Sequence, residues 1–124
     1  MDQEAVLALA KRFFDAIEAG DVETVGAIYA PDAVIWHNTD GAEQGREENL
    51  KTLAGVVRFL GERRYGERRV GAFPGGFVQQ HVLTGRRPDG AAVSLAACVI
   101  CQVQDGQITR LDEYFDSAAL AQFR

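Results

Sequence analysis

The sequence holds little cysteine, no long apolar run and no excess of positive charge. Two cysteines occur in 124 residues, Cys98 and Cys101, spaced as C-x-x-C. They lie inside VSLAACVICQV, a continuous apolar run that reads as strand. Three positions apart on a strand, two side chains point to opposite faces. With no second pair, no metal or redox site is expected, and both thiols read as packing groups. No segment approaches the roughly 20 apolar residues that a membrane-spanning helix needs. The N-terminal MDQEAVLALAKRFF has acid where a signal peptide carries Lys or Arg, and Lys11 and Arg12 interrupt its apolar stretch. A cytoplasmic location is therefore expected. Thirteen basic against eighteen acidic residues give a net charge of −5, which argues against nucleic acid or an anionic membrane as partner. No internal repeat or low-complexity segment appears.

What is present is an ordinary globular composition, 47% hydrophobic and 25% charged. The length suits one domain over residues 1–124, able to bury a core and one internal pocket. Charge is uneven. Residues 1–57 carry four basic and eleven acidic groups, whereas 58–69 hold five arginines against two glutamates. That Arg-rich stretch reads as a solvated or edge strand protected by charge, with anion binding as the alternative.

The chain divides into a helical first half and a strand-rich second half. Val6, Leu9, Ala10, Phe13 and Ile17 give residues 3–19 the spacing of an amphipathic helix, capped by Asp2 and closed by Gly20. Asp21 caps a second, short helix that Pro31-Asp32 breaks. AVIWHN follows as a strand, then a polar loop over 39–45. Arg46 to Leu60 carries one apolar stripe of Leu50, Leu53, Ala54, Val57 and Leu60, the mark of a third helix. Strands are predicted at 63–73, 77–84, 92–103 and 108–115, with Asp105-Gly106 as the clearest hairpin turn. Asp116 or Ser117 caps a final short helix. This order implies an α+β domain: a cone-shaped barrel of curved, mostly antiparallel sheet, covered by three N-terminal helices around an apolar pocket.

FFDAIEAGDVETVGAIYAPDAVIWHN, GREENLKTLAGV and VQDGQITRLDEYFD, in that order, resemble the nuclear-transport-factor-2-like superfamily and its SnoaL-like group. Ketosteroid isomerases, limonene epoxide hydrolases, polyketide cyclases and members without chemistry share that fold. The resemblance thus implies the fold and leaves the activity open. Trp36 and Asn38 are similar to the aromatic and asparagine that hold the attacking water in the epoxide hydrolases, allowing a one-residue gap. Glu113 falls where those enzymes carry their general base. Their Asp–Arg–Asp relay is absent here, which argues against epoxide hydrolysis. The Tyr and protonated Asp of a ketosteroid isomerase cannot be placed.

Three residues are candidates for acid–base chemistry. His37 ends the first strand and is a competent proton acceptor near neutral pH, or a histidine merely hydrogen-bonded at a strand end. Glu113 shares a strand face with Leu111 and Phe115, so it is drawn inward. There an apolar setting would raise its pKa; otherwise it pairs with Arg110 or meets a second subunit. His81 is placed inward with Phe77, Gln79 and Leu83, to polarise a substrate oxygen. Tyr29, Trp36, Asn38, Leu53, Val57, Leu60, Leu95, Ala97 and Phe115 are expected to line the pocket.

The first reading is a small cofactor-free isomerase, lyase or cyclase acting on a hydrophobic carbonyl compound. Its alternative is a non-catalytic ligand-binding or dimerisation module. A third is an interaction module using the open sheet face of Val78, Val82, Cys98 and Ile100. That face is expected to form a homodimer.

Overall fold

A computed structural model describes all residues, Met1–Arg124. Helix α1 spans Gln3–Ala19; the Asp2 carboxylate accepts from the Ala5 N–H, and Gly20 closes the helix. Asp21 caps α2, Val22–Ile28, through the Thr24 N–H. Both caps satisfy amide groups that a helix start leaves unpaired. Strand β1, Tyr29–His37, begins directly after α2 and runs through Pro31. The residue before a proline disfavours helix, so α2 ends where it must. Pro31 falls in a register shift between Tyr29 and Val34, where no ladder N–H is required of it.

The polar loop over 39–45 contains a strand that the sequence reading passes over. This is β2, Glu43–Gly45, paired antiparallel with Val34–Trp36. Helix α3 spans Arg46–Phe59, and β3 follows at Gly61–Phe73. Strands β4 (Gly76–Arg86), β5 (Ala92–Gln104) and β6 (Gln107–Phe115) continue as hairpins, and a 3-10 helix, Ser117–Phe123, ends the chain.

The six strands form one curved sheet in the order β2-β1-β6-β5-β4-β3. The β1–β6 pair is parallel and the others antiparallel. The fold is the expected α+β cone, with one correction: the sheet does not close into a barrel, because β2 and β3 remain as edges. The main core joins Phe13, Phe14 and Ile17 of α1 with Ile28, Tyr29, Ile35, Phe77, Val99, Ile108 and Leu111. A second cluster of Leu60, Leu83, Val93 and Leu95 packs beneath Phe59, Phe115 and Phe123.

Two glycines set close approaches. A Cβ on Gly76 would stand 2.0 Å from the Cys101 carbonyl oxygen, and one on Gly85 would stand 2.5 Å from Leu60 Cγ.

Edge strand β3 carries the arginines, and it is bulged twice. Gly-Glu-Arg-Arg occurs at 61–64 and again at 66–69, a short repeat missed in the sequence. At each copy the pairing register shifts, and the glutamates, Glu62 and Glu67, adopt φ 52°. Bulges bend and twist a strand, which curves the sheet here. They also aim alternate arginines inward. Arg63 donates to the carbonyls of Ile17, Val57 and Leu60, at the ends of α1 and α3. Arg68 pairs with Asp15 and Glu18 of α1. These two arginines bind helix ends and helix acids rather than solvent or a foreign anion.

Cys98 and Cys101 are free thiols, one half-buried and one buried, on opposite sheet faces. No helix is long and apolar enough to cross a membrane.

Candidate active site

Strand alternation decides which side chains enter the cone. On β6, Leu111, Glu113 and Phe115 share the inner face; on β1, Ile35 and His37 do. Parallel pairing sets His37 beside Glu113, and antiparallel pairing continues the row through Val99 to Gln79. His37 Nε2 lies 3.1 Å from Glu113 Oε1, with the two side chains 22% and 23% exposed. The pair is shielded by protein yet reaches water. Asn38 holds it in register. Its backbone N–H donates to the Glu113 carbonyl, while its side chain donates to the Phe115 carbonyl and accepts from the Phe115 N–H.

Behind the pair is a cavity of about 50 Å³. Phe13, Phe14, Ile17, Tyr29, Ile35, Leu53, Tyr65, Val99 and Leu111 supply its apolar wall, with His37, Asn49 and Glu113 as its polar groups. A cavity of about 150 Å³ accommodates benzene. The space behind Glu113 therefore takes two or three heavy atoms, the end of a ligand rather than a whole one.

Electrostatics separate the two histidines. The hydrogen bond that His37 donates to the Glu113 carboxylate raises the His37 pKa; burial opposes it, and the charges of Glu113 and Asp40 add to the rise. His81 goes the other way, lowered by burial to about 4. It is a neutral ring at pH 7. The Gln79 amide donates to its Nδ1 at 3.0 Å, which leaves the proton on Nε2. Its ring packs 4.6 Å from Tyr65 and 5.1 Å from Phe14. Burial also raises the Tyr65 hydroxyl, and the Glu113 charge adds to the effect, so this phenol stays protonated.

Of the residues expected at the site, the structure brings His37, Glu113, Tyr29 and Leu53 to the cavity. His81 faces inward as expected but does not border it. Trp36 lies on the outer face, its ring 5.3 Å from Tyr114. With His37 pointing in, its chain neighbour must point out. Asn38 is spent on β6 backbone. Leu60, Leu95 and Phe115 belong to the second apolar cluster. Val57 packs at the C-terminal end of α1, near Gly20. Ala97 is buried one row away from Glu113, beside Phe115. Asn49 and Tyr65 were missed. Asn49 had a signal: it is a polar residue four positions before Leu53, on the stripe that faces the core.

The sequence from residue 10 to residue 111 matches the model of the SnoaL-like domain. The chain belongs to the SnoaL-like domain family. Among solved structures it is similar to a candidate polyketide cyclase from Xanthomonas campestris pv. campestris. That match has TM-score 0.85 and 22% identity, covering 98% of each chain. It is similar to a protein of unknown function with the NTF2-like fold from Burkholderia pseudomallei K96243, at TM-score 0.83 and 17% identity, covering 99% and 98%. It also resembles a hypothetical protein with a ketosteroid isomerase-like fold from Catenulispora acidiphila DSM 44928, solved with trimethylamine. There the TM-score is 0.79 and the identity 16%, over 93% and 91%. At these identities the likeness establishes the fold. No curated protein matches the sequence.

Proposed function

We propose that this SnoaL-like chain is a cofactor-free acid–base enzyme, an isomerase, lyase or cyclase acting on a short, hydrophobic carbonyl compound. The observation that carries this reading is the His37–Glu113 pair at the edge of an aromatic cavity. Glu113 removes a proton from the carbon beside the carbonyl. Charge then develops on the carbonyl oxygen, where a protonated phenol can donate a hydrogen bond. Tyr65 borders the cavity and fits this role better than His81, which faces Gln79. The proton returns from Glu113 to a second carbon in an isomerisation, or a leaving group departs in a lyase step. His37 sets the charge beside Glu113 and relays the proton to solvent.

The test is exchange of the α-hydrogens of butanone for deuterium, followed by NMR. Exchange above the buffer rate that disappears in Glu113→Gln supports the enzyme. Equal rates in both proteins overturn it.

The small cavity favours a second reading, a binding module without chemistry. The trimethylamine held by the Catenulispora acidiphila protein is a ligand of comparable size. Binding of butanone without hydrogen exchange would select this reading.

We propose further that the chain acts in the cytoplasm as a homodimer. The outer sheet face supports the dimer. Ile100 and Tyr114 are exposed there beside a groove of about 660 Å³ that includes Val82, Ala96 and Cys98. A monomer mass by light scattering at micromolar concentration would overturn it.

A further inference from the structure

Tyr29 and Asn49, which line the cavity with Glu113, begin a hydrogen-bond chain whose direction can be read from its far end. Thr52 on α3 donates its hydroxyl to the Glu48 carbonyl at 3.3 Å. A backbone carbonyl only accepts, so the one hydroxyl proton is spent and the Thr52 oxygen must accept. It accepts from Gln44 Nε2 at 3.2 Å. Gln44 therefore presents its oxygen to Asn49, whose Nδ2 donates at 3.0 Å. Asn49 in turn presents its oxygen to Tyr29, whose hydroxyl donates at 2.8 Å. Each side-chain amide is fixed by the partner before it, so neither can reverse alone without breaking a bond. Tyr29 and Asn49 are 2% and 3% exposed, and an unpaired group at that depth is costly.

The consequence falls on the cavity. Tyr29 has a single proton, and Asn49 holds it. Toward the cavity the phenol oxygen can only accept. The Glu113 carboxylate borders the same space, so the wall pairs one fixed neutral acceptor with one acidic group. A ligand fits these partners when it brings a donor. The space admits only the end of a ligand, so with the carbonyl beside Glu113 the donor that reaches Tyr29 sits on the adjacent carbon.

We infer that the Tyr29–Asn49–Gln44–Thr52 chain selects α-hydroxy carbonyl compounds, the ligand hydroxyl donating to Tyr29. This rests on the acid–base reading above and narrows its substrate class. The proton balance is unchanged: Glu113 takes the α-proton, and the ligand hydroxyl keeps its own while donating.

The experiment compares hydroxyacetone with butanone, which have equal numbers of heavy atoms. Dissociation constants come from NMR shifts of the His37 ring in the wild type, Tyr29→Phe and Thr52→Val. The wild type should prefer hydroxyacetone by about fivefold to tenfold, the scale of one hydrogen bond net of water. Tyr29→Phe should remove the preference. Thr52→Val changes an exposed position that does not line the cavity, yet it frees Gln44 and Asn49 to reverse and lets Tyr29 donate. It should reduce the preference, and butanone, which can only accept, should bind at least as tightly as to the wild type. Equal binding of the two ketones by the wild type, or a preference that survives both substitutions, overturns the inference and leaves the acid–base reading standing. If neither ketone moves the His37 signals at about 100 mM, a concentration that even millimolar affinity would saturate, both fail.

Discussion

His37 Nε2 lies 3.1 Å from Glu113 Oε1 across the parallel pair of strands in an otherwise antiparallel sheet. An antiparallel neighbour could be reached by a two-residue turn. The parallel pair instead joins the chain's first strand to its last, so the dyad closes the whole fold. Its two members are 76 positions apart in sequence, which no local pattern reveals.

The pair makes stability depend on pH in a defined direction. The His37 pKa is raised on folding, chiefly by its bond to Glu113. The resulting stabilisation is complete below the unfolded value near 6.5 and is lost as pH rises through the higher folded value. Replacing His37 by Asn should cost about 0.5–1.5 kcal/mol in urea unfolding at pH 6 and less at pH 9, after allowing for solvent screening. An equal cost at both pH values would show that the bond is not charge-dependent.

His81 has the opposite sign. Folded, it resists protonation until about pH 4, whereas unfolded it takes a proton near 6.5. Stability should be full above pH 6.5 and fall by roughly 3 kcal/mol as pH drops toward 4. His81→Gln should flatten this acid limb while lowering stability at pH 7, where the ring packing is lost. Parallel pH profiles for the two proteins would contradict the assignment.

Arg63 is a structural residue in a strand that reads as surface. Its guanidinium satisfies carbonyls from Ile17, Val57 and Leu60. Arg63→Met should cost about 2–4 kcal/mol in urea unfolding, since buried acceptors lose their donors. Arg64→Met, at the exposed neighbouring position, should fall within about 0.5 kcal/mol of the wild type. Similar losses at both positions would mean that the bulges aim nothing.

Gly76 and Gly85 should differ when replaced by Ala. At Gly76 the new Cβ overlaps backbone, the Cys101 carbonyl at 2.0 Å, so β4 and β5 must separate. At Gly85 it meets the Leu60 side chain at 2.5 Å, and the nearest backbone atom, the Gly61 carbonyl oxygen, stands farther off at 2.8 Å. Thermal unfolding should show the larger drop for Gly76→Ala, by at least about 2 kcal/mol of destabilisation. The reverse order would contradict the close approach.

Much of the fold was legible because local signals agreed with one another. Asp2, Asp21 and Asp116 cap where capping residues should, and the hairpin strands follow their turn residues. Strand β2 was not legible, since three residues in a polar, Gly-containing loop carry no periodicity. Both bulges of β3 were hidden because Glu62 and Glu67 occupy a backbone region that glutamate rarely enters, so alternation fails there. The site was half legible. Alternation placed Glu113 inward, and the same rule, applied to Trp36 and His37 together, forbids both from facing the cavity. The partnership of Tyr29 with Asn49 depends on how α3 settles over β1, which no local pattern specifies.

Glu113 and His37, 3.1 Å apart, should titrate as one coupled acid–base unit. The direct measurement is the NMR titration of the His37 imidazole in the wild type and in Glu113→Gln. The wild-type ring should titrate above 6.5, and the substitution should bring it to 6.5 or below, because burial then acts without the carboxylate. An unchanged His37 titration would show that the two groups are neighbours without coupling, and the acid–base account would lose its foundation.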